Sequence, residues 1–368
     1  MIWTIISFVI IFTVVVVSHE FGHYLIARLN NIRVNEFSIG MGPAIFKKKG
    51  KHTTFAIRLL PIGGACIFEG EDGRTSETED GEESEDKQAD EPEEIDESAG
   101  IAFNDAPVWA RIASVFAGPL FNIILAFFLS IFICWFCGSD LPVLYNVTEG
   151  LPAEAAGMQA GDKIVKINGE RIYLWREVSM ISILSSGKPM NITYEREGVK
   201  YDTTITPYWS EEDGRYYIGF IGGGEFVSCK DISVFKYAYL EVRYWLITTY
   251  RSLGYMFSGR ASLDDLAGPV GVANVIDDTI EETKSYGLFT VVLNMVNIIV
   301  LLSVNLGVLN LIPFPALDGG RLVLLFIEAV THKKIPPEKE GIFHMIGFIL
   351  LMILMVVVLC NDIMRIFR

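Results

Sequence analysis

His19, Glu20 and His23 stand in the run VVVSHEFGHYL (15–25), inside an otherwise apolar stretch that begins at Ile2. On a helix, residues i and i+4 share a face, so H-E-x-x-H lets both imidazoles reach one Zn2+. Glu20 is not a ligand at that spacing; it can instead take a proton from a water activated by the metal. Ionisable side chains inside a membrane span are costly and by default mark function. A metal accounts for them, because it binds neutral imidazoles and exploits a dry site. The bland alternative is a pair of helix-end histidines meeting lipid headgroups.

A catalytic zinc needs a third protein ligand and an open position. Of the other histidines, His52 and His332 sit in basic loops and His344 opens the last apolar stretch. Asp318 is the better candidate, in NLGVLNLIPFPALDGG (305–320). There an apolar helix is interrupted by Pro313 and Pro315, then meets a carboxylate and two glycines. Broken backbone at membrane depth is tolerated only inside protein or beside a watery cavity. Asp318 would then face His19 and His23 from the opposite side. Asn305 and Asn310, in the same stretch, carry amides that could hold an extended substrate backbone.

The elements that must position these residues are largely membrane helices. Hydrophobic residues make up 51% of the 368, and mean hydropathy is +0.37, which points to a membrane protein. Four stretches reach the roughly 20 apolar residues that a bilayer requires. They are Ile2 to Leu25, Ile112 to Phe136, Leu288 to Ile312 and Ile342 to Cys360. The first lacks the basic start and the small-residue cleavage site of a secretory signal.

The net charge of −15 is concentrated in one place: residues 69 to 97 hold 16 Asp/Glu against Arg74 and Lys87. That segment is almost free of large apolar residues and is expected to be a disordered loop over 71–98, a solvated spacer rather than a docking tail. Cys134 and Cys137 form a C-x-x-C at the end of the second span, with no redox-type βαβ pattern around it. They are expected to be small buried residues.

Basic residues set the topology. Arg28, Arg33, Lys47, Lys48, Lys49, Lys51 and Arg58 follow the first span, and Arg321, Lys333, Lys334 and Lys339 join the third to the fourth. Both segments are expected in the cytoplasm, with both termini and residues 138 to about 287 outside.

In the outer segment, NVTEGLPAEAAGMQAGDKIVKINGERI (146–172) reads as a strand, a turn, a small helix and a strand ended by Asn168-Gly169, a hairpin signal. It resembles a PDZ domain of the bacterial protease type, running to about 216–224. Ile218, Gly219 and Phe220 resemble the loop that receives a peptide strand or carboxylate in such domains. The aromatic-rich stretch Ser233 to Ser258 reads as an amphipathic helix at the membrane surface, or one packed only on the preceding domain.

H-E-F-G-H together with N-x-x-P-x-P-x-L-D-G-G resembles the site-2 protease family of intramembrane zinc metalloproteases. The single PDZ-like segment between the second and third spans is similar to its bacterial branch, the regulator of sigma-E protease type. IGMGP (39–43), LLPIGG (59–64), FAGPLFN (116–122) and SLDDLAGPVGVAN (262–274) extend the likeness over most of the chain. The resemblance implies one catalytic Zn2+ held by His19, His23 and Asp318, Glu20 as catalytic base, and Asn305 and Asn310 as substrate-handling residues. Ala65-Cys66 stands where an aromatic is more usual, and the acidic insert departs from the pattern.

The expected fold is thus a polytopic α-helical membrane protein with four transmembrane helices, a membrane-embedded β-hairpin and one extracytoplasmic PDZ domain (α+β). Its segments are a first span (1–27), a cytoplasmic loop (28–110) with the hairpin at 53–70, and a second span (111–137). A PDZ domain (138–230) and an amphipathic region (231–287) follow. A third span with the aspartate motif (288–320), a cytoplasmic link (321–341), a fourth span (342–361) and a tail (362–368) complete it. The hairpin TTFAIRLL-PIGG-ACIFEG would turn at Gly63-Gly64, and its free edge could pair with an unwound substrate.

The expected activity is cleavage of transmembrane segments in regulated intramembrane proteolysis, in a bacterial plasma membrane, with the active site toward the cytoplasm. Expected partners are single-span proteins such as anti-sigma factors, or signal-peptide remnants, and membrane lipid, with no nucleic acid. A non-proteolytic PDZ scaffold and a zinc transporter are the rival readings.

Overall fold

The computed structural model describes residues 2–70, 100–185, 187–211, 215–223, 225–259 and 268–366. The acidic loop expected over 71–98 lies outside them. Contacts divide the chain into two compact units, Met1–Ala126 with Ser262–Arg368, and Phe127–Ala261.

The first unit starts with helix α1 (Ile2–Leu29). It stops where Asn31 takes a left-handed φ of 58° and the Asn30 amide donates to the Ile26 carbonyl at 2.8 Å, meeting a helix-end acceptor. Strands β1 (Val34–Lys49) and β2 (Thr54–Phe68) follow, both bent. Residues 36–39 of β1 pair with 54–57 of β2 on one side and with 64–67 on the other, while 44–49 pair with 54–58.

This corrects the expected hairpin at 53–70. Its two arms do not close on each other; β1 lies between them, and Gly63-Gly64 forms the bend that carries β2 across. The reason is backbone satisfaction. A lone two-stranded hairpin leaves both outer edges unpaired, whereas the inserted strand pairs on both sides. The 64–68 segment ends up at the sheet edge.

Helix α2 (Val108–Cys137) contains Pro119 and passes from the first unit into the second. The second unit continues with β3 (Ser139–Asp140), β4 (Asn146–Val147), α3 (Pro152–Ala155), β5 (Lys163–Ile167) and β6 (Glu170–Arg171). Asn168 and Gly169, at φ 51° and 83°, make the tight turn between the last two strands. Then come α4 (Trp175–Leu184), β7 (Met190–Arg196), β8 (Val199–Ile205), β9 (Tyr208–Ser210), β10 (Arg215–Tyr217), β11 (Phe220–Ile221) and β12 (Phe226–Val227). The main sheet has the order β6-β5-β7-β8, antiparallel throughout, over a core that includes Leu144, Ile164, Val178, Ile192 and Ile205.

Helix α5 (Ser233–Phe257) closes this unit. Val234, Tyr237 and Leu240 pack with Cys134, Leu174 and Cys229, and Glu241 and Arg243 pair with Arg176 and Glu177 of α4. On its other side Ile232, Phe235, Tyr239, Tyr250 and Phe257 are exposed, within an arc of roughly 60°. The helix therefore packs on its own unit along one face and presents an aromatic stripe on another. Cys134 is buried as expected, while Cys137 is exposed.

The chain re-enters the first unit as α6 (Pro269–Thr283), α7 (Leu288–Asn310), α8 (Asp318–Thr331) and α9 (Pro337–Ile366). Asp362 of α9 accepts from the Gly271 and Gly268 amides at 3.0 and 3.3 Å, capping α6. Helix α7 ends at Asn310, before the proline-broken stretch that leads to Asp318, and α8 with the start of α9 occupies most of residues 321–341. Leu322 and Leu325 give α8 an apolar face that packs with Ile32, Phe103, Ile112 and Val115. Among the described residues, α1, α2, α7 and α9 are long and apolar enough to cross a membrane.

Candidate metal centre

His19 and His23 project from one face of α1, both buried, with Nε2 atoms 3.2 Å apart. Asp318 Oδ2 lies 3.1 Å from the first Nε2 and 3.5 Å from the second. The three ligand atoms fall within 4.8 Å of one another, the one such group of His, Cys, Asp and Glu among the described residues. Two imidazole nitrogens and one carboxylate oxygen suit Zn2+, whereas Ca2+ and Mg2+ favour shells of oxygen.

The imidazole of His23 is oriented by α2. Its Nδ1 lies 2.9 Å from the Ser114 carbonyl, which can only accept, so Nδ1 carries the proton and Nε2 keeps its lone pair for a metal. Close helix approach makes this geometry possible. A Cβ on Gly22 would meet Phe121 Cβ at 2.9 Å and the Ala117 backbone, and a Cβ on Gly118 would collide with the His23 ring. Gly118→Ala is therefore expected to displace His23 from Ser114. The cost is about 1–3 kcal/mol of overpacking strain, readable as weaker zinc binding in a chelator titration; unchanged zinc affinity would refute the packing argument.

Asp318 reaches the site because the chain doubles back after α7. Ala316 sits at φ 74° and donates its N–H to His344 Nδ1 at 3.0 Å, and Leu317 leads straight into α8. The paired glycines of LDGG are demanded by this fold-back. A Cβ on Gly319 would strike the Leu311 and Ile312 carbonyls, and one on Gly320 the Phe314 carbonyl. Further along α8, Glu328 pairs with the buried Arg111 of α2, so the helix bearing Asp318 is tied to the helix that orients His23.

Glu20 is half-buried and faces β2. A Cβ on Gly64 would stand 2.9 Å from Glu20 Cγ, and the Cys66 backbone N–H bonds to the Glu20 carboxylate. Gly63 takes φ 83° at the bend, against the Met41 side chain. Asn310, the last residue of α7, brings Nδ2 to 3.3 Å from His19 Nε2. Asn305 lies five residues earlier, roughly 140° around the helix from Asn310, so the two amides do not share a face.

The other histidines do not join the centre. His52 lies in the turn between β1 and β2, His332 is the left-handed C-cap of α8, and His344 supports the loop before Asp318. Ile218, Gly219 and Phe220 belong to the second unit. The Ile218 carbonyl accepts from Ala153 and the Gly219 carbonyl from Thr148, each at 2.9 Å, and Phe220 pairs with Val147. The sequence does not point to Ser114 or Gly118 as site residues, and it offers His344 as a possible ligand rather than as the support for the loop before Asp318. The signal available for Gly118 is its place in FAGPLFN; the Ser114 carbonyl belongs to the backbone and has no sequence signal.

The model of peptidase family M50 matches residues 7–354 of the chain. A zinc metalloprotease RasP of Geobacillus kaustophilus is 34% identical over 99% of this chain and 98% of its own. The regulator of sigma-W protease RasP of Bacillus subtilis is 32% identical, covering 99% of each chain. Among solved structures, the PDZ domain of an SdrC-like protein from Listeria monocytogenes aligns at 24% identity and TM-score 0.20, over 23% of this chain and 87% of that one.

Proposed function

Because the chain belongs to peptidase family M50 and is a multi-pass zinc metalloprotease, we propose that it cuts peptide bonds inside the transmembrane segments of single-span proteins. The observation that carries this reading is the convergence of His19, His23 and Asp318 on one point, with Glu20 beside it, where α1, which bears three of these four residues, is apolar enough to span a bilayer. One zinc held by those three side chains would polarise the scissile carbonyl and make water a competent nucleophile near neutral pH.

The chain's own residues do the rest. Glu20 takes the proton of the attacking water as its oxygen bonds to the carbonyl carbon. It then delivers that proton to the amine nitrogen as the C–N bond breaks. A helical substrate hides its peptide bonds, so it must be unwound. The segment 64–68, at the sheet edge, is where an extended substrate strand would be laid down, and Gly64 lets that edge approach Glu20 without a side chain between them. The Asn310 amide, beside His19, would hold the substrate backbone near the scissile bond, whereas Asn305, on another face of α7, would act elsewhere along the substrate.

We place the loops bearing Lys47 to Lys51 and Lys333 to Lys339 in the cytoplasm and the second unit outside, in a bacterial plasma membrane. The second unit is read as a PDZ domain with its peptide loop at Ile218 to Phe220. Trp175 packs on Gly222 just beyond β11, crowding the edge a peptide would use. This favours a size filter against bulky outer domains over capture of a free carboxylate. The aromatic stripe of α5 would lie in the lipid headgroup zone. Substrates of this kind include anti-sigma factors already trimmed outside, in keeping with the relative named for sigma-W regulation, and signal-peptide remnants.

The test is a cleavage-site map on a single-span substrate in proteoliposomes, by mass spectrometry of both fragments. Cuts are expected within the apolar segment, nearer its cytoplasmic end. Cuts confined to water-exposed flanks would defeat the intramembrane reading, and no cutting of any substrate would favour the scaffold.

A further inference from the structure

FAGPLFN ends on an asparagine for which the chemistry above has no use. Asn122 lies on α2, fully buried, and its Nδ2 is placed 3.5 Å from His19 Nδ1. Its Oδ1 is buried without a hydrogen-bond partner. Its backbone carbonyl accepts from the Ser303 hydroxyl of α7 at 3.0 Å, which anchors the residue between the two helices.

That placement conflicts with the chemistry of the centre. An amide N–H facing Nδ1 requires a lone pair there, so the ring proton would sit on Nε2. Yet the His19 Nε2 is the atom that points at Asp318. A half-turn of the Asn122 amide exchanges its oxygen and nitrogen, which occupy nearly the same volume. The oxygen then accepts the Nδ1 proton of His19 and is no longer unpartnered, and Nε2 is freed for a metal.

We propose that Asn122 is a positioning residue that fixes the Nδ1–H form of His19, with its side-chain oxygen toward the ring. It does for His19 what the Ser114 carbonyl does for His23. Both acceptors come from α2, eight residues apart, so this one helix sets the proton position on both ligand rings. A side chain is required at His19, where a backbone carbonyl suffices at His23. The inference rests on the zinc reading of the site.

The experiment is zinc affinity by chelator competition on the full-length protein in detergent, with metal-free thermal unfolding as the control for folding. Asn122→Leu keeps the bulk and removes the acceptor, and is expected to weaken zinc binding roughly 10–100-fold. Asn122→Asp keeps the acceptor and is expected to bind zinc at least as tightly as the unaltered protein. A packing role alone would not be rescued this way, since it gains nothing from a buried carboxylate. Should the leucine variant fail to fold, Asn122→Ala against Asn122→Asp makes the same comparison. Wild-type affinity in a folded leucine or alanine variant would overturn the proposal, and so would equal losses in the aspartate variant. Zinc that survives His19→Ala in an otherwise unaltered, folded protein would overturn the site reading itself, a result distinct from either.

Discussion

Glu20→Gln is expected to abolish cleavage while leaving zinc in place. Glutamine has nearly the shape of glutamate and can still accept the Cys66 N–H that the carboxylate holds, so the β2 edge should stay beside α1. What is lost is the ability to accept and return a proton. General acid–base catalysis contributes roughly 10²–10⁴-fold, and in the proposed mechanism one group serves both halves of the reaction. A fall in kcat of at least that size is expected, with little change in KM. Single-turnover cleavage of a fluorogenic transmembrane substrate, with metal content measured on the same sample, reads both quantities. Retained turnover with full zinc occupancy would remove Glu20 from the chemistry and reopen the scaffold reading. A stalled variant should also hold its substrate, so crosslinking in native membranes would identify natural targets.

Asp318→Ala is expected to lose zinc and activity together. The carboxylate is the one oxygen among the three ligand atoms, and it joins α8 to α1. Without it two imidazoles remain, too few for a catalytic zinc. The loss of affinity should exceed the roughly 100-fold that outer-shell changes can cost. Folding should survive, because α8 is also anchored by Leu322, Leu325 and the Arg111–Glu328 pair. Zinc retained in a folded Asp318→Ala protein would mean another third ligand. His344 would then be the first to test, since its Nδ1 already reaches the loop two residues from Asp318.

These residues were legible in the sequence to different degrees. H-E-x-x-H is local, so the periodicity of one helix sufficed to place both imidazoles on a shared face. Asp318 could be nominated because a proline-broken apolar stretch needs a reason to end in a carboxylate. The glycines of LDGG and FAGPLFN were visible as letters but not as contacts. Gly118 matters because the His23 ring occupies the space a Cβ would take, and Gly319 because the backbone folds back on Leu311 and Ile312. Asn305 and Asn310 carried equal weight in the sequence, yet the turn of α7 sets them on different faces, and the Asn310 amide lies against His19.

The sheet was the least legible part. Residues 53–70 alternate well enough to suggest two strands and a turn, and a local reading pairs them with each other. The pairing is instead with 36–39, on both sides. Strand partners are chosen by which edges would otherwise go unpaired, and a single segment does not contain that information. The same holds for α8, a mostly apolar run in which only the neighbours decide that Leu322 and Leu325 are buried while Val323 and Phe326 stay exposed.

By itself the sequence determined that this protein lives in a membrane, and it nominated the H-E-x-x-H of the first helix and the carboxylate of Asp318 as one metal-ligand set. Apolar length and helical spacing carry those facts, and both are properties of a chain read in order. Tertiary structure alone decided that Glu20 faces the sheet-edge segment 64–68, that α2 supplies the acceptor fixing the proton on His23, and that paired glycines let Asp318 turn back onto α1. Each of those depends on two backbones approaching within van der Waals contact from distant parts of the chain, and such closeness leaves no periodic trace in either segment.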